Sequence, residues 1–286
     1  MIPPEFDYAK VSSVDEATSA LAGGGEDAKV LAGGQSLIPL LRLRLAYPST
    51  LVDVGGVAEM KGVRDDGDAI VIGASTTHAE VLADPLVQKH APLVSLATAT
   101  VADRQVRHRG TFGGSLSHAD PAGDLPAVAL ALDASFVIAS AGGGRRTVGA
   151  GDFFSDYLQT ALGSGELLVE VRVPKLGDGW GFHYEKFHRV AQAWAIVGVA
   201  AAVRRSNGDI AEARIGLTNM GPTPVRARAV ESALAGVAAD AAAVGEAAAK
   251  ADEGTNPPSD LGGQADYRRH LVRVLTRRAV LAAGGT

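Results

Sequence analysis

The stretch from Lys29 to Val54 constrains the fold most, because it alternates between the two hydrophobic periods within a few residues. A short strand pattern, Lys29 to Ala32, runs into the glycine pair Gly33-Gly34. Leu37, Leu40 and Leu41 then recur at helical spacing, and a second strand pattern, Leu51 to Val54, closes on Gly55-Gly56. Strand, glycine turn, helix and strand with such short connections predict a compact α/β unit. Ala69 to Ile72 repeats the strand signal. A helix follows it, opened by a capping box at Thr77 and Glu80 and ending near Asp84-Pro85. Residues 91–110 read as one further helix with Leu93, Leu96, Ala97 and Val101 on one face.

The second half carries different signals. "ASFVIAS" and "RTVGAGDFF" predict a hairpin around Gly142-Gly143-Gly144, and "ELLVEVRVP" alternates as a half-buried strand does. Composition shifts between Pro174 and Gly181, where "KLGDGWG" reads as a hinge. Beyond it, two strands meet at Ser206-Asn207-Gly208-Asp209, a strong hairpin signal. From Pro224 the chain is helical and alanine-rich. Its last helix carries Arg268, Arg269, Arg273, Arg277 and Arg278, expected on a solvated face opposite Tyr267, Leu271, Val274 and Leu275. A three-stranded antiparallel sheet with a few helices fits this region.

Thirty-five glycines in 286 residues ask for an explanation position by position. A glycine pair between strand and helix lets backbone N–H groups converge with no Cβ in the way, and can hold a diphosphate. Ala32-Gly33-Gly34-Gln35-Ser36 has that form, and a tight turn with close strand–helix packing explains it equally well. It is neither G-x-G-x-x-G nor a Walker loop. Thr111-Phe112-Gly113-Gly114-Ser115 has the same chemistry, so the two loops together can clamp the two phosphates of a dinucleotide. Asp120 and Asp124 bracket the next turn, with Asp124 either accepting from a sugar hydroxyl or capping the helix that follows. Lys186 reads as an exposed strand-end lysine or as a cation leaning across a cleft. Trp194 reads as core or as cover for an aromatic cofactor.

Several chemistries are excluded. The chain has no cysteine, so it cannot itself hold a thiolate nucleophile, a Cys-ligated zinc or a Cys-held iron–sulfur cluster. None of the seven histidines forms an H-x-x-x-H or HExxH pair, and no G-x-S-x-G elbow occurs, so neither a metal site nor a Ser nucleophile is expected, while His118 beside Asp120 reads as an acid/base pair or as plain hydrogen bonding in a polar turn. A formal net charge of −5 without long charged runs argues against a nucleic-acid or membrane surface. No run approaches the roughly 18 apolar residues of a membrane span, and "MIPPEFDYAK" lacks a leader's basic and apolar segments, so a cytoplasmic location is expected.

In that order, "AGGQSLIPLL", "TFGGSLSHADPAGDLPAV", "GELLVEVRVP" and "YEKF" resemble the FAD-binding medium subunit of molybdenum hydroxylases, the group that includes xanthine dehydrogenase and aerobic carbon monoxide dehydrogenase. The resemblance runs from "FDYAKVSSVDEA" through "IGLTNMGPTPVRA" to the last helix. It implies an α+β chain. Two α/β subdomains, 1–57 and 58–176, form an FAD-binding unit like that of vanillyl-alcohol oxidase, and a C-terminal domain spans 177–286. It also implies that Ala32, Gly33, Gly34, Gln35, Ser36 and the adjoining Leu37, with Thr111, Gly113, Gly114 and Ser115, hold the FAD diphosphate. Asp124 lies near the ribityl chain, with Asp120 of the same turn also a cofactor-site position, Leu168 meets the flavin or its adjoining chain, Lys186 lies near the ring, and Ala102 in a helix bordering the adenosine. Gln192 and Trp194 fall near the flavin face.

Partners are implied too: a small subunit with 2Fe–2S clusters and a large subunit with a molybdopterin-type molybdenum cofactor, arranged as a dimer of heterotrimers. Electrons reach FAD from the clusters and leave to NAD, a quinone or oxygen. Gln35 stands where carbon monoxide dehydrogenases typically carry histidine, and Phe112, Ser115 and "VAQAWAIV" also depart from their pattern, which leaves the substrate open. A stand-alone FAD-dependent oxidoreductase with its own substrate pocket is the alternative.

Overall fold

A computed structural model describes residues 2–285. The first unit is a parallel three-stranded sheet built from β1 (Asp7–Lys10), β2 (Ala28–Leu31) and β3 (Thr50–Asp53), with β3 in the middle. Helix α1 (Val14–Gly24) crosses between the first two strands. Ser13 caps it by accepting from the Glu16 N–H, and Val14, Ala17, Thr18 and Leu21 form its buried stripe. Helix α2 (Leu37–Arg42) follows the first glycine loop.

The second unit holds a five-stranded antiparallel sheet. Its strands are β4 (Val63–Asp66), β5 (Ala69–Gly73), β6 (Ser135–Ala139), β7 (Arg145–Gly149) and, after a short hairpin, β10 (Leu167–Pro174). That hairpin pairs β8 (Phe154–Asp156) with β9 (Gln159–Thr160). β10 returns to lie between β5 and β6, covered on both sides, and a bulge between Leu168 and Glu170 interrupts its pairing. Between β5 and β6 come α3 (His78–Ala83), α4 (Pro85–His90), α5 (Pro92–Ala99), α6 (Arg104–Arg107), α7 (Phe112–His118) and α8 (Asp124–Ala131); α9 (Ala150–Phe153) follows β7. The capping box at Thr77 and Glu80 forms, and Asp84 ends α3 and at once caps α4.

The single helix expected over 91–110 is two. Asp103 accepts from the Val106 N–H and so starts α6 afresh, while Arg107 donates to the Val101 carbonyl at 2.8 Å and holds the intervening turn. Ala102, expected inside a helix, sits in that turn with φ +42°.

The third unit is an antiparallel sheet of β11 (Trp180–Phe187), β12 (Val197–Ser206) and β13 (Asp209–Thr218), extended at one edge by the two-residue β14 (Val225–Arg226). Asn207 at φ +54° and Gly208 at φ +94° make the tight hairpin between β12 and β13. Three helices complete the unit: α10 (Arg228–Leu234), α11 (Ala241–Ala248) and the long α12 (Ala265–Gly284).

One face of this sheet joins the core of the other units through Tyr184, Ala200 and Ala202. The other face packs Val199, Ala201 and Val203 with Leu271, Leu275 and Ala279 of α12. Being covered on both sides, β12 reads as an almost continuous apolar run. Arg268, expected on the solvated face of α12, is instead 1% exposed. Its guanidinium meets Asp260 at 2.6 Å and donates to the Ile196 carbonyl, so the buried stripe begins one residue later than Tyr267 suggested.

Candidate functional site

The three units enclose a cavity of about 540 Å3, and every cofactor-site position named from the sequence lines it. The two glycine loops lie side by side along one wall. Gly33 packs directly on the residues that precede the second loop: a Cβ there would collide with the Arg109 carbonyl oxygen and lie 2.6 Å from the Gly110 Cα. Gly34 adopts φ +72°, a conformation that favours glycine. In the second loop, a Cβ on Gly113 would collide with that of Ala74, at the end of β5. Protein packing alone thus forbids side chains at these positions.

The loops differ in what they leave open. Phe112 donates to the Thr76 carbonyl, Gly113 to the Ala74 carbonyl, Gly114 to the Thr111 Oγ1 and Ser115 to the Thr111 carbonyl, so from Phe112 to Ser115 the second segment spends its backbone donors inside the protein. Among the described residues, nothing accepts from the N–H groups of Gly33, Gly34, Gln35, Ser36 and Leu37. A run of backbone donors lining a cavity suits an acceptor-rich occupant. The donor set of the first loop therefore fits a diphosphate group.

Across the cavity, Lys186 and Asp124 form an ion pair at 2.8 Å, each side chain only 4% exposed. Lys186 also donates to the Thr100 carbonyl at 3.0 Å, and the Tyr184 hydroxyl donates to Asp124 at 2.8 Å. Burial pushes the Asp124 carboxyl above its ordinary value, against the pull of the Lys186 ammonium and the Tyr184 hydroxyl. Lys186 is thus no exposed strand-end lysine. Asp124 is the first residue of α8 and makes no capping bond, because both its oxygens are taken by β11. Leu168 reaches the cavity just ahead of the bulge in β10.

Trp194 is 55% exposed, which removes the core reading and leaves its ring at the rim of the cavity. The neighbouring Gln192 donates to Asp103 and ties the segment after β11 to the turn that carries Ala102. Asp120 accepts from the Ala122 N–H at 2.9 Å and lies 4.0 Å from the His118 Nε2.

The sequence reading passed over Tyr184 and Thr218, whose hydroxyls, 3.3 Å apart, complete the Asp124 network. It also passed over Ser75 and His78. Both are buried in the cavity wall, and the Ser75 Oγ and His78 Nδ1 have no hydrogen-bond partner. Nothing in their spacing distinguishes them from ordinary residues at a helix start. Only tertiary burial does so.

Comparison with known proteins gives two family matches. The model for the FAD binding domain in molybdopterin dehydrogenase matches residues 4–176, and that for the CO dehydrogenase flavoprotein C-terminal domain matches residues 182–283. The chain is 42% identical over 283 residues to the carbon monoxide dehydrogenase medium chain of Hydrogenophaga pseudoflava, covering 99% of this chain and 98% of that one. It is 38% identical over 279 residues to the glyceraldehyde dehydrogenase medium chain of Sulfolobus acidocaldarius, with 98% of each covered. Among solved structures, it matches the Hydrogenophaga pseudoflava carbon monoxide dehydrogenase that lacks the Mo-pyranopterin moiety of the molybdenum cofactor. The TM-score is 0.96 at 43% identity, over 100% of this chain and 99% of that chain.

Proposed function

The chain belongs to the FAD-binding medium subunits of the molybdenum hydroxylases, carbon monoxide dehydrogenase-like in both its domains, and from that membership we propose an electron-transfer role between partner subunits and an external acceptor. It is the flavoprotein subunit of an oxidoreductase. In this reading, a small subunit with 2Fe–2S clusters delivers electrons that a molybdenum-bearing large subunit takes from substrate. NAD, a quinone or oxygen receives them, in a cytoplasmic dimer of heterotrimers. A chain without cysteine cannot ligate such clusters itself, which supports their place on another subunit.

Bound FAD supplies the exchange between one-electron donors and a two-electron acceptor. The residues of this chain bind and position. The open N–H groups from Gly33 to Leu37 hold the diphosphate, and Thr111 to Ser115 form the wall beside them. Lys186, fixed by Asp124 and the Thr100 carbonyl, keeps a positive charge at the cavity without freedom to swing. Trp194 covers the rim. None of these groups needs to move a proton for the role proposed. Relatives named for carbon monoxide and for glyceraldehyde resemble the chain to a similar degree, which supports placing substrate choice on the molybdenum subunit.

The open donor run is the observation that carries this reading. The purified chain is expected to take up FAD and turn yellow, and Gly33→Val to abolish uptake by driving the loops apart. A chain that stays colourless with excess FAD overturns the proposal. The native complex is expected to contain molybdenum, iron and FAD on elemental and spectroscopic analysis.

A further inference from the structure

Of the cavity's polar side chains, His78 and Ser75 are buried with an atom that finds no partner, and His78 is the larger of the two. It opens α3, its backbone N–H donates to the Gly110 carbonyl at 2.9 Å, and the residue is 3% exposed. The Cδ2–Nε2 edge of the ring lies over Gly110, where an added Cβ would come within 3.1 Å of Cδ2 and 3.4 Å of Nε2. Gly110 in turn packs against Gly33, so one residue separates the imidazole from the open loop.

No hydrogen bond to either ring nitrogen forms among the described residues, and Nδ1 is fully buried. A dry N–H without an acceptor is rarer in proteins than a dry acceptor without a donor. That asymmetry favours the tautomer with its proton on Nε2, the atom on the Gly110 side of the ring. Burial and the nearby Arg107 charge hold the imidazole down to about 4, so it is uncharged at neutral pH. From Phe112 to Ser115 the second glycine segment has spent its own backbone donors, which leaves this stretch of wall short of them. Ser75, three residues before His78, is the other buried group there without a partner.

We propose that His78 is a cofactor-binding residue, a neutral Nε2–H donor that hydrogen-bonds an oxygen of the bound dinucleotide beside the first glycine loop. The inference rests on the FAD reading above. His78 takes no part in electron transfer; it adds a donor that needs no counter-charge and costs little to keep dry once an acceptor arrives.

The test uses the full chain freed of FAD and titrated with FAD, followed by flavin fluorescence. His78→Leu is expected to raise the dissociation constant roughly threefold to tenfold, and His78→Gln, which restores a donor, to recover part of the loss. The FAD-free His78→Leu chain should melt no lower than the wild type, since the substitution removes a buried nitrogen that has no partner. A histidine kept only for structure gives the opposite pattern, with a lowered melting point and unchanged affinity.

If His78→Leu does not fold, nitrogen-labelled wild-type chain decides. A His78 Nε2 resonance that moves on FAD addition supports the inference, and one that stays overturns it. Wild-type chain that binds FAD with the same affinity as folded His78→Leu overturns this inference alone. Wild-type chain that binds no FAD overturns the functional reading and the inference together.

Discussion

The Asp124–Lys186 pair shows how little a residue's role follows from its neighbours in sequence. Asp124 precedes an apolar helix and so looks like a cap, yet its two oxygens are claimed by Tyr184 and Lys186 from a strand some sixty residues away. Two charges taken out of water are costly unless they satisfy each other, and removing one partner leaves the other stranded. Lys186→Met is therefore expected to destabilise the chain by about 3–5 kcal/mol at neutral pH, read from urea unfolding. The stranded carboxyl would have a folded-state pKa raised above its unfolded value. Protonation then favours the folded state, so the deficit should shrink as pH is lowered. Lys186→Met combined with Asp124→Asn should recover most of the stability. A single variant whose deficit is the same at pH 7 and pH 5 would contradict this account.

Elements are where the two glycine loops part company. α2 begins after a loop whose N–H groups stay open, whereas the second glycine segment is no loop but the start of α7 itself: Thr111 caps the helix, and the N–H groups of Phe112 to Ser115 are taken by Thr76, Ala74 and Thr111. The glycines of the second loop thus serve close approach of α7 to the end of β5 rather than donation. Gly113→Ala places a methyl group inside the space of Ala74 and should cost about 1–3 kcal/mol through overpacking, seen as a lowered thermal midpoint with or without FAD. A midpoint equal to that of the wild type would show that α7 can shift freely. Splitting one expected helix into α5 and α6 is also an element-scale event. The hydrophobic period continues through Val101, but the Asp103 side chain offers the backbone a new start that periodicity does not register.

At the scale of the whole molecule, the cavity exists because the third unit closes on the other two. Backbone contact makes this possible. A Cβ on Gly216 of β13 would collide with the Ala127 carbonyl of α8, in the second unit. Lys186 and Gln192 then reach across to Asp124 and Asp103. Gly216→Val should hold β13 off α8 and uncouple the units, so that calorimetry resolves two unfolding transitions instead of one cooperative step. FAD affinity should fall with it, since Lys186 and Trp194 would no longer line the cavity. A single transition at an unchanged temperature would refute this.

The sequence by itself determined the elements whose causes are local. The capping box at Thr77, the Asn207-Gly208 hairpin, and the strand Ala28–Leu31 with the glycine turn after it are each set by residues a few positions apart. Motif order, through resemblance, pointed to the cavity-lining positions. Tertiary structure alone decided which donors stay open, that Lys186 and Arg268 are buried, that Trp194 is exposed, and that His78 faces the site without a partner. Those outcomes depend on which distant backbone takes each hydrogen bond and which surface covers each side chain, and burial of that kind has no period in the chain.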